Sequence, residues 1–233
     1  MLLAAAQTQP IRGDIQSNLN DHYRWVEAAA EKGASLIVFP EMSVSGYERE
    51  DAPPLAFEKN DQRLAHLRQL ATRHQMVIVA GAPVKMEDNL FIGSFIFYPD
   101  GSEAVYTKQF LHTGEEITFQ ASLEYNPVIR LENQQFSLAI CADINNALHA
   151  ENAHRASSSV YIASIFFSPN GIPEAYTLLS NYARKYQMTV LMANYGGPSW
   201  GMDSGGRSAC WNPNGELTAA LDASGEGLLL VDI

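Results

Sequence analysis

Arg73-His-Gln-Met-Val-Ile-Val-Ala80 returns later in the chain as Lys185-Tyr-Gln-Met-Thr-Val-Leu-Met192. Each segment leaves a helical pattern and enters a short apolar run, too short for a helix and typical of a buried strand. A second pair lies farther on, where Tyr98-Pro-Asp-Gly-Ser-Glu103 is matched by Asn212-Pro-Asn-Gly-Glu216. In both, proline fixes φ and glycine accepts positive φ, so both predict turns between paired strands. The offsets are 112 residues (Met76 to Met188) and 114 residues (Pro99 to Pro213). Two nearly equal offsets point to one internal duplication of a β-α-β-α-β-β unit.

The segments between these landmarks fit the unit twice. Leu2–Ala6 reads as a buried strand. Asn18 is placed to cap a helix carrying Leu19, Tyr23, Val26, Ala29 and Ala30, with Gly33 ending it before the strand Leu36-Ile-Val-Phe39. Asp61–His74 sets Leu64, Leu67, Leu70 and Ala71 on one helical face; the strand Met76–Ala80 follows, and Phe91–Tyr98 and Glu103–Thr107 flank the first turn. In the second half Phe136–Ile140, Val160–Ile165 and Thr189–Ala193 read as strands. His149–Ala156 and Glu174–Tyr186 read as helices, the latter opened by Pro173 at its first position. Ala209–Trp211 and Leu217–Leu221 flank the second turn.

Such a unit carries its helices on one side of its sheet and leaves the other face apolar. Two units bury those faces against each other. The expected fold is therefore α/β, a four-layer α-β-β-α sandwich of two mixed sheets with an internal pseudo-duplication. No low-complexity linker separates the halves, so residues 1–233 read as one domain. Ser43–Asn60 is a long connection with Pro53-Pro54 in it, and the expected rim of a site.

Of the 233 residues, 46% are hydrophobic and 18% charged, enough apolar surface for a packed core and unlike a disordered chain. Lys and Arg number 15 against 26 Asp and Glu, a formal charge of −11 with no basic run, which argues against nucleic acid as a partner. No stretch approaches the ~20 apolar residues of a bilayer span. Met1–Gln7 lacks the basic flank and apolar length of a signal peptide. Cys141 and Cys210 are too few for a disulfide scaffold. The expectation is a cytoplasmic protein that engages neither nucleic acid nor membrane.

Three reactive side chains stand at the ends of expected strands: Glu41 after Phe39-Pro40, Lys108 after Val105-Tyr-Thr107, and Cys141 after Leu138-Ala-Ile140. Ligands of α/β sheets gather beyond the carboxyl ends of strands, so the three can converge. Each also has a plain structural reading: a small buried hydrophobe for the cysteine, a loop acid or cap for the glutamate, a surface charge for the lysine.

Phe39-Pro-Glu-Met-Ser-Val-Ser-Gly-Tyr47, Tyr106-Thr-Lys-Gln-Phe-Leu-His-Thr-Gly-Glu-Glu116 and Leu138-Ala-Ile-Cys-Ala-Asp143 resemble, in order and spacing, the three signature blocks of the nitrilase superfamily of carbon–nitrogen hydrolases. Ala4-Ala-Ala-Gln7, Met192-Ala-Asn194, Gly205-Gly-Arg-Ser208 and Pro213-Asn-Gly215 resemble further blocks, so the likeness covers nearly the whole chain. The resemblance implies Cys141 as nucleophile, Glu41 as general base and then acid, and Lys108 with the Ala142 backbone N–H as stabilisers of an oxyanion. It also implies a fourth acid after the lysine, with Glu115 preferred to Glu116 because Phe119 follows it four places on. A thiol near its ordinary value of about 8.5 is only slightly ionised at neutral pH, so the chemistry needs a neighbouring base. No metal or organic cofactor has a task in this scheme.

The activity so implied is hydrolysis of a non-peptide carbon–nitrogen bond, a small linear amide in preference to a nitrile, through a thioester with release of ammonia. The alternatives are a nitrilase proper, or a non-catalytic relative kept for binding or assembly. After the cysteine the chain departs from many relatives: Ala142-Asp-Ile-Asn-Asn-Ala147 has no Arg beyond Asp143, which weighs against a carbamoyl-amino-acid substrate. The short chain favours a homodimer over a filament. Cys210, beside Trp211, reads as core. His112, His149 and His154 are the histidines that could pair with Cys141, although none lies in a motif for that role. Gly196-Gly197 and Gly205-Gly206 read as turns at the pocket edge, and Asn194 and Ser208 as supports.

Overall fold

In the computed structural model, which describes residues 1–233, the expected unit occurs twice. The first half runs β1 (Leu2–Gln7), α1 (Ile15–Glu31), β2 (Leu36–Val38), a single turn α2 (Ala52–Leu55), α3 (Ala65–His74), β3 (Val77–Met86), β4 (Asn89–Phe97) and β5 (Glu103–Thr107). The second runs β6 (Ile129–Leu131), β7 (Gln134–Ile140), α4 (Ala147–Arg155), β8 (Val160–Ser164), α5 (Ile172–Tyr186), β9 (Thr189–Ala193), β10 (Ala209–Trp211) and β11 (Leu217–Ala220), followed by β12 (Gly227–Asp232). In the first sheet β1, β2 and β3 are parallel, β4 and β5 continue antiparallel, and β12 lies antiparallel beside β1. The second sheet repeats this with β7, β8 and β9 parallel, β10 and β11 antiparallel, and β6 beside β7. Both sheets are mixed, and the duplication is one of topology, including the two edge strands β6 and β12 that the sequence pattern does not reveal.

The Gln-Met echo has a shared physical cause. Gln75 and Gln187 each end a helix in the left-handed conformation, at φ 51° and 53°. Each side-chain amide then donates to a carbonyl of the last helical turn, on Thr72 at 2.7 Å and on Arg184 at 2.9 Å. The left-handed cap turns the chain from helix into strand, and Met76 and Met188 enter the core at once.

Helix α1 begins earlier than expected. Asp14, not Asn18, is its N-cap, accepting the Ser17 N–H at 3.0 Å. Asn18 lies inside the first turns, buried, with its amide donating to the Ile11 and Val44 carbonyls. Its polar group is thus satisfied outside the helix and does not compete with the helix's own bonds. Other boundaries shift less. β3 continues beyond Ala80 because Gly81–Met86 goes on pairing with β4. α4 starts at Ala147 under the Asn146 cap, and α5 starts at Ile172, one residue before Pro173.

Alternation along the parallel strands sorts the layers. Leu3, Ala5, Leu36, Val38, Val77 and Val79 join the central core between the sheets, whereas Ala4, Ala6, Ile37, Phe39 and Ile78 pack with Leu19, Val26, Leu67 and Leu70 of the first helical layer. The central core continues through the second sheet to Leu179, Tyr182 and Ala183 of α5. Burying each large apolar side chain contributes about 1.5–3 kcal/mol. No helix is long and apolar enough to cross a membrane. At one end of the sandwich Ser164, last in β8, donates its hydroxyl to the Phe39 carbonyl just beyond β2, at 2.8 Å. The carboxyl ends of the parallel strands of both sheets therefore meet, and the residues that follow β2, β5 and β7 share that end.

Candidate active site

Glu41 leaves β2 on a tight loop whose next residue, Met42, has φ 50°. The loop rests on Gly81 of β3, where an added Cβ would stand 2.4 Å from the Pro40 oxygen and 2.5 Å from the Met42 nitrogen. Only glycine permits that approach. Lys108 follows β5 directly. Cys141 forms the elbow between β7 and a 3-10 turn, Cys141–Asn145, with φ 44°, a conformation costing a non-glycine residue about 1–2 kcal/mol. Asp143, fully buried, holds the elbow. Its Oδ2 accepts the Ile140 N–H at 2.8 Å and the Tyr106 hydroxyl at 2.7 Å, and its Oδ1 accepts the Gln109 and Phe110 N–H groups at 2.9 Å each. One carboxylate thus ties the cysteine turn to the segment that carries the lysine.

Glu41, Lys108 and Glu115 are fully buried and Cys141 is 2% exposed. The Lys108 ammonium donates to Glu41 Oε1 at 2.7 Å and to Glu115 Oε1 at 2.8 Å. Glu115 also accepts the Tyr47 hydroxyl at 2.6 Å and the His112 N–H at 2.8 Å, so its position is fixed at both oxygens. Glu116 is exposed and accepts the Gly114 N–H instead. Glu41 Oε2 has no hydrogen-bond partner within the protein. The Cys141 sulfur lies 3.3 Å from His112 Nε2. The carbon–nitrogen hydrolase family model matches residues 2–233. This chain belongs to that family.

The relatives of this carbon–nitrogen hydrolase are distant. A Staphylococcus aureus protein described as a hydrolase in the agr operon is 23% identical over 95% of this chain and 86% of its own. A glutamine-dependent NAD(+) synthetase of Aquifex aeolicus is 24% identical over 99% of this chain, which spans only 42% of the synthetase. Among solved structures, the NitN amidase from Nesterenkonia sp. AN1, of the nitrilase superfamily, superposes with a TM-score of 0.86 at 24% identity, covering all of this chain and 92% of the amidase. That likeness concerns the fold, an α/β sandwich of two mixed sheets.

The charges of the hydrolase's buried cluster shape one another. Burial pushes Glu41 up, Lys108 opposes it and Glu115 adds to it, leaving Glu41 at about 7. Burial alone would lower Lys108, but Glu41, Cys141 and Glu115 outweigh it and hold the ammonium above its ordinary range. Burial also opposes ionisation of Glu115, yet Lys108 and Tyr47 bring it below its ordinary value. Burial raises the Cys141 thiol, and the Glu41 charge raises it further. The Lys108 ammonium thus lies between the Glu115 carboxylate and a Glu41 carboxyl that titrates near neutrality, with the Cys141 thiol pushed up by burial.

His149 is bound by Tyr106 and Tyr161, at 2.8 Å each, and His154 stacks on Tyr186, so neither attends the cysteine. Asn194 accepts the Phe167 N–H at 2.9 Å and is itself held by Ser208, whose N–H donates to Gln7 at 3.0 Å. This chain of bonds supports the segment whose Phe166 carbonyl lies 3.8 Å from the Cys141 sulfur. Gly196 is a close approach, since a Cβ there would meet the Gly225 oxygen at 1.9 Å. Cys210 is buried in β10. The Ser43–Asn60 connection supplies Tyr47 and Arg49, as a rim would, but includes the helical turn α2.

Asp143, Tyr47 and Tyr106 lie within the quoted sequence blocks without an assigned role, because their importance comes from partners on other elements. Tyr195, whose hydroxyl donates to the Glu41 carbonyl, stands outside every quoted block. A cavity of about 820 Å³ lies at Lys85, Glu103 and Tyr125, away from the sulfur. A smaller one, about 370 Å³, is lined by Phe110, His112, Ala142 and Asn146 and reaches the side of the cysteine turn. No three His, Cys, Asp or Glu side chains are grouped so as to hold a metal ion.

Proposed function

We propose that this carbon–nitrogen hydrolase cleaves a small linear amide through a thioester on Cys141, releasing ammonia. The observation that supports it best is the Lys108 ammonium, buried and bound to both Glu41 and Glu115, beside a buried thiol at a strained elbow. In this reading Cys141 attacks the amide carbon. The oxygen that gains charge faces Lys108 and the Ala142 N–H, and loss of one such donor typically costs ~2.7–4 kcal/mol of transition-state stabilisation. Glu41, with one oxygen unpartnered and a value near neutrality, accepts the thiol proton, passes it to the departing nitrogen, and then takes a proton from the water that opens the thioester. Glu115 orients Lys108.

An amide is favoured over a nitrile by the structural neighbours, which include a Nesterenkonia amidase variant in complex with butyramide. The test is ammonia release from short aliphatic amides, butyramide first, by the native protein and by Cys141→Ala. The expected result is release that the substitution abolishes while unfolding is unchanged. Ammonia from nitriles but from no amide would move the assignment to a nitrilase, and release that survives Cys141→Ala would overturn the mechanism.

A further inference from the structure

The Cys141 sulfur has a neighbour that the reaction above does not use. His112 Nε2 lies 3.3 Å from Sγ, within hydrogen-bonding reach of a thiol. The imidazole is firmly carried. The His112 backbone N–H donates to Glu115 Oε2 at 2.8 Å and the His112 carbonyl accepts the Glu115 N–H at 3.0 Å, so the turn that holds the lysine's second carboxylate also carries this ring. His112 both touches the sulfur and lines the 370 Å³ cavity beside the elbow, so the half-buried ring can exchange protons with water.

We propose that His112 is a second proton acceptor for the Cys141 thiol, used when Glu41 already carries its proton. The inference rests on Cys141 being the nucleophile. The S–H bond breaks and an Nε2–H bond forms as sulfur attacks the carbonyl carbon. Protonated Glu41 gives its proton to the nitrogen, which leaves as ammonia. Glu41, now a carboxylate, takes a proton from water as the water oxygen attacks the thioester. When the C–S bond breaks, the imidazolium returns its proton to sulfur. Glu41 ends protonated, His112 neutral and the thiol restored.

The surroundings define when this route operates. Burial holds Glu41 at about 7, so on the acid side of neutrality it is mostly protonated and cannot accept. Burial lowers His112 below its ordinary 6.5. Of the charges facing it, Lys108 from the same segment and Arg49 from the rim push it further down, while Glu115 and Asp143 oppose them. The ring therefore stays neutral, and able to accept, in a range where Glu41 is not.

Alkylation of Cys141 by iodoacetamide across pH tests this without any substrate. Cys210 serves as the internal control, and His112→Gln and His112→Ala, each verified by thermal unfolding, are compared with the native protein. The expected result for His112→Gln is alkylation slower by on the order of tenfold near pH 6, converging on the native rate above about pH 8, where Glu41 is ionised. His112→Ala, which cannot accept a proton either, is expected to show the same upward shift of the acid limb. Profiles of unchanged shape in both variants, or acceleration at every pH, would overturn the proposal and leave His112 as a cover. Native Cys141 reacting no faster than Cys210 would overturn the nucleophile assignment itself, an outcome distinct from a shift that fails to appear.

Discussion

The Tyr195 hydroxyl lies 2.6 Å from the Glu41 carbonyl oxygen and joins two loops that belong to different sheets and stand 154 residues apart in the chain. Both residues are fully buried. Tyr195→Phe leaves that carbonyl without its donor, at an expected cost of about 1–3 kcal/mol in denaturant unfolding. Because the bond holds the carrier of the Glu41 carboxylate and not the substrate, kcat should fall with KM little changed. An unaltered kcat would mean that the β3 contact alone fixes the loop.

That contact is tested by Gly81→Ala. The new methyl would sit at 2.4–2.5 Å from the backbone on either side of Glu41, and neither neighbour is a flexible side chain. The loop must move, at about 1–3 kcal/mol of overpacking. Activity measured well below the unfolding temperature should drop by much more than the stability change alone implies. Full activity in a folded variant would show that Glu41 tolerates displacement.

These two positions mark where the sequence stops being informative. Helix-to-strand reversals are local events, so the two Gln-Met segments and the two Pro-x-Gly turns are readable from short segments, and the layered sandwich follows from their repetition. The positions of the candidate residues are readable too, since Glu41, Lys108 and Cys141 follow strand ends, and Glu115, not Glu116, meets the lysine. Tyr195, Gly81 and Asp143 act through atoms of distant elements, and no spacing in the chain records such partners. The Asn18 cap fails for a related reason. Asn18 finds its carbonyl partners at Ile11 and Val44, and Asp14, nearer the chain's turn, is left to start the helix. Strands β6 and β12 escape notice because three residues, or a glycine-led tail, show little periodicity until a neighbouring strand supplies the register.

Glu41 should make stability depend on pH. Its native value of about 7 lies above its ordinary 4.5, so the folded state holds the proton more tightly than the unfolded chain. The stabilisation is then fully present below the ordinary value and is lost as pH rises through about 7, an effect on the order of 3 kcal/mol. Glu41→Gln removes the titration. The stability difference between variant and native protein should move in the variant's favour from about pH 4.5 to about pH 7.5, as followed by denaturant unfolding at several pH values. A difference that stays constant with pH would mean that Lys108 keeps Glu41 charged without cost to folding.

Asp143→Asn changes no volume and isolates what its carboxylate does. The carboxylate accepts four hydrogen bonds, three from backbone N–H groups and one from Tyr106, and donates none. An amide at the same place keeps one accepting oxygen and presents an NH2 to donors, so at least one buried N–H group loses its partner whichever way the amide is turned. The expected loss is about 1–3 kcal/mol for each buried donor left without its partner. Because those donors divide between the two oxygens, the lysine segment on Oδ1 and the cysteine elbow on Oδ2, the one remaining oxygen serves one side and the loss falls on the other. Cys141 alkylation should lose its advantage over Cys210, and either the amide of position 140 or those of positions 109 and 110 should exchange hydrogen faster. Exchange unchanged at all three positions, with stability kept, would show that this junction does not depend on the carboxylate.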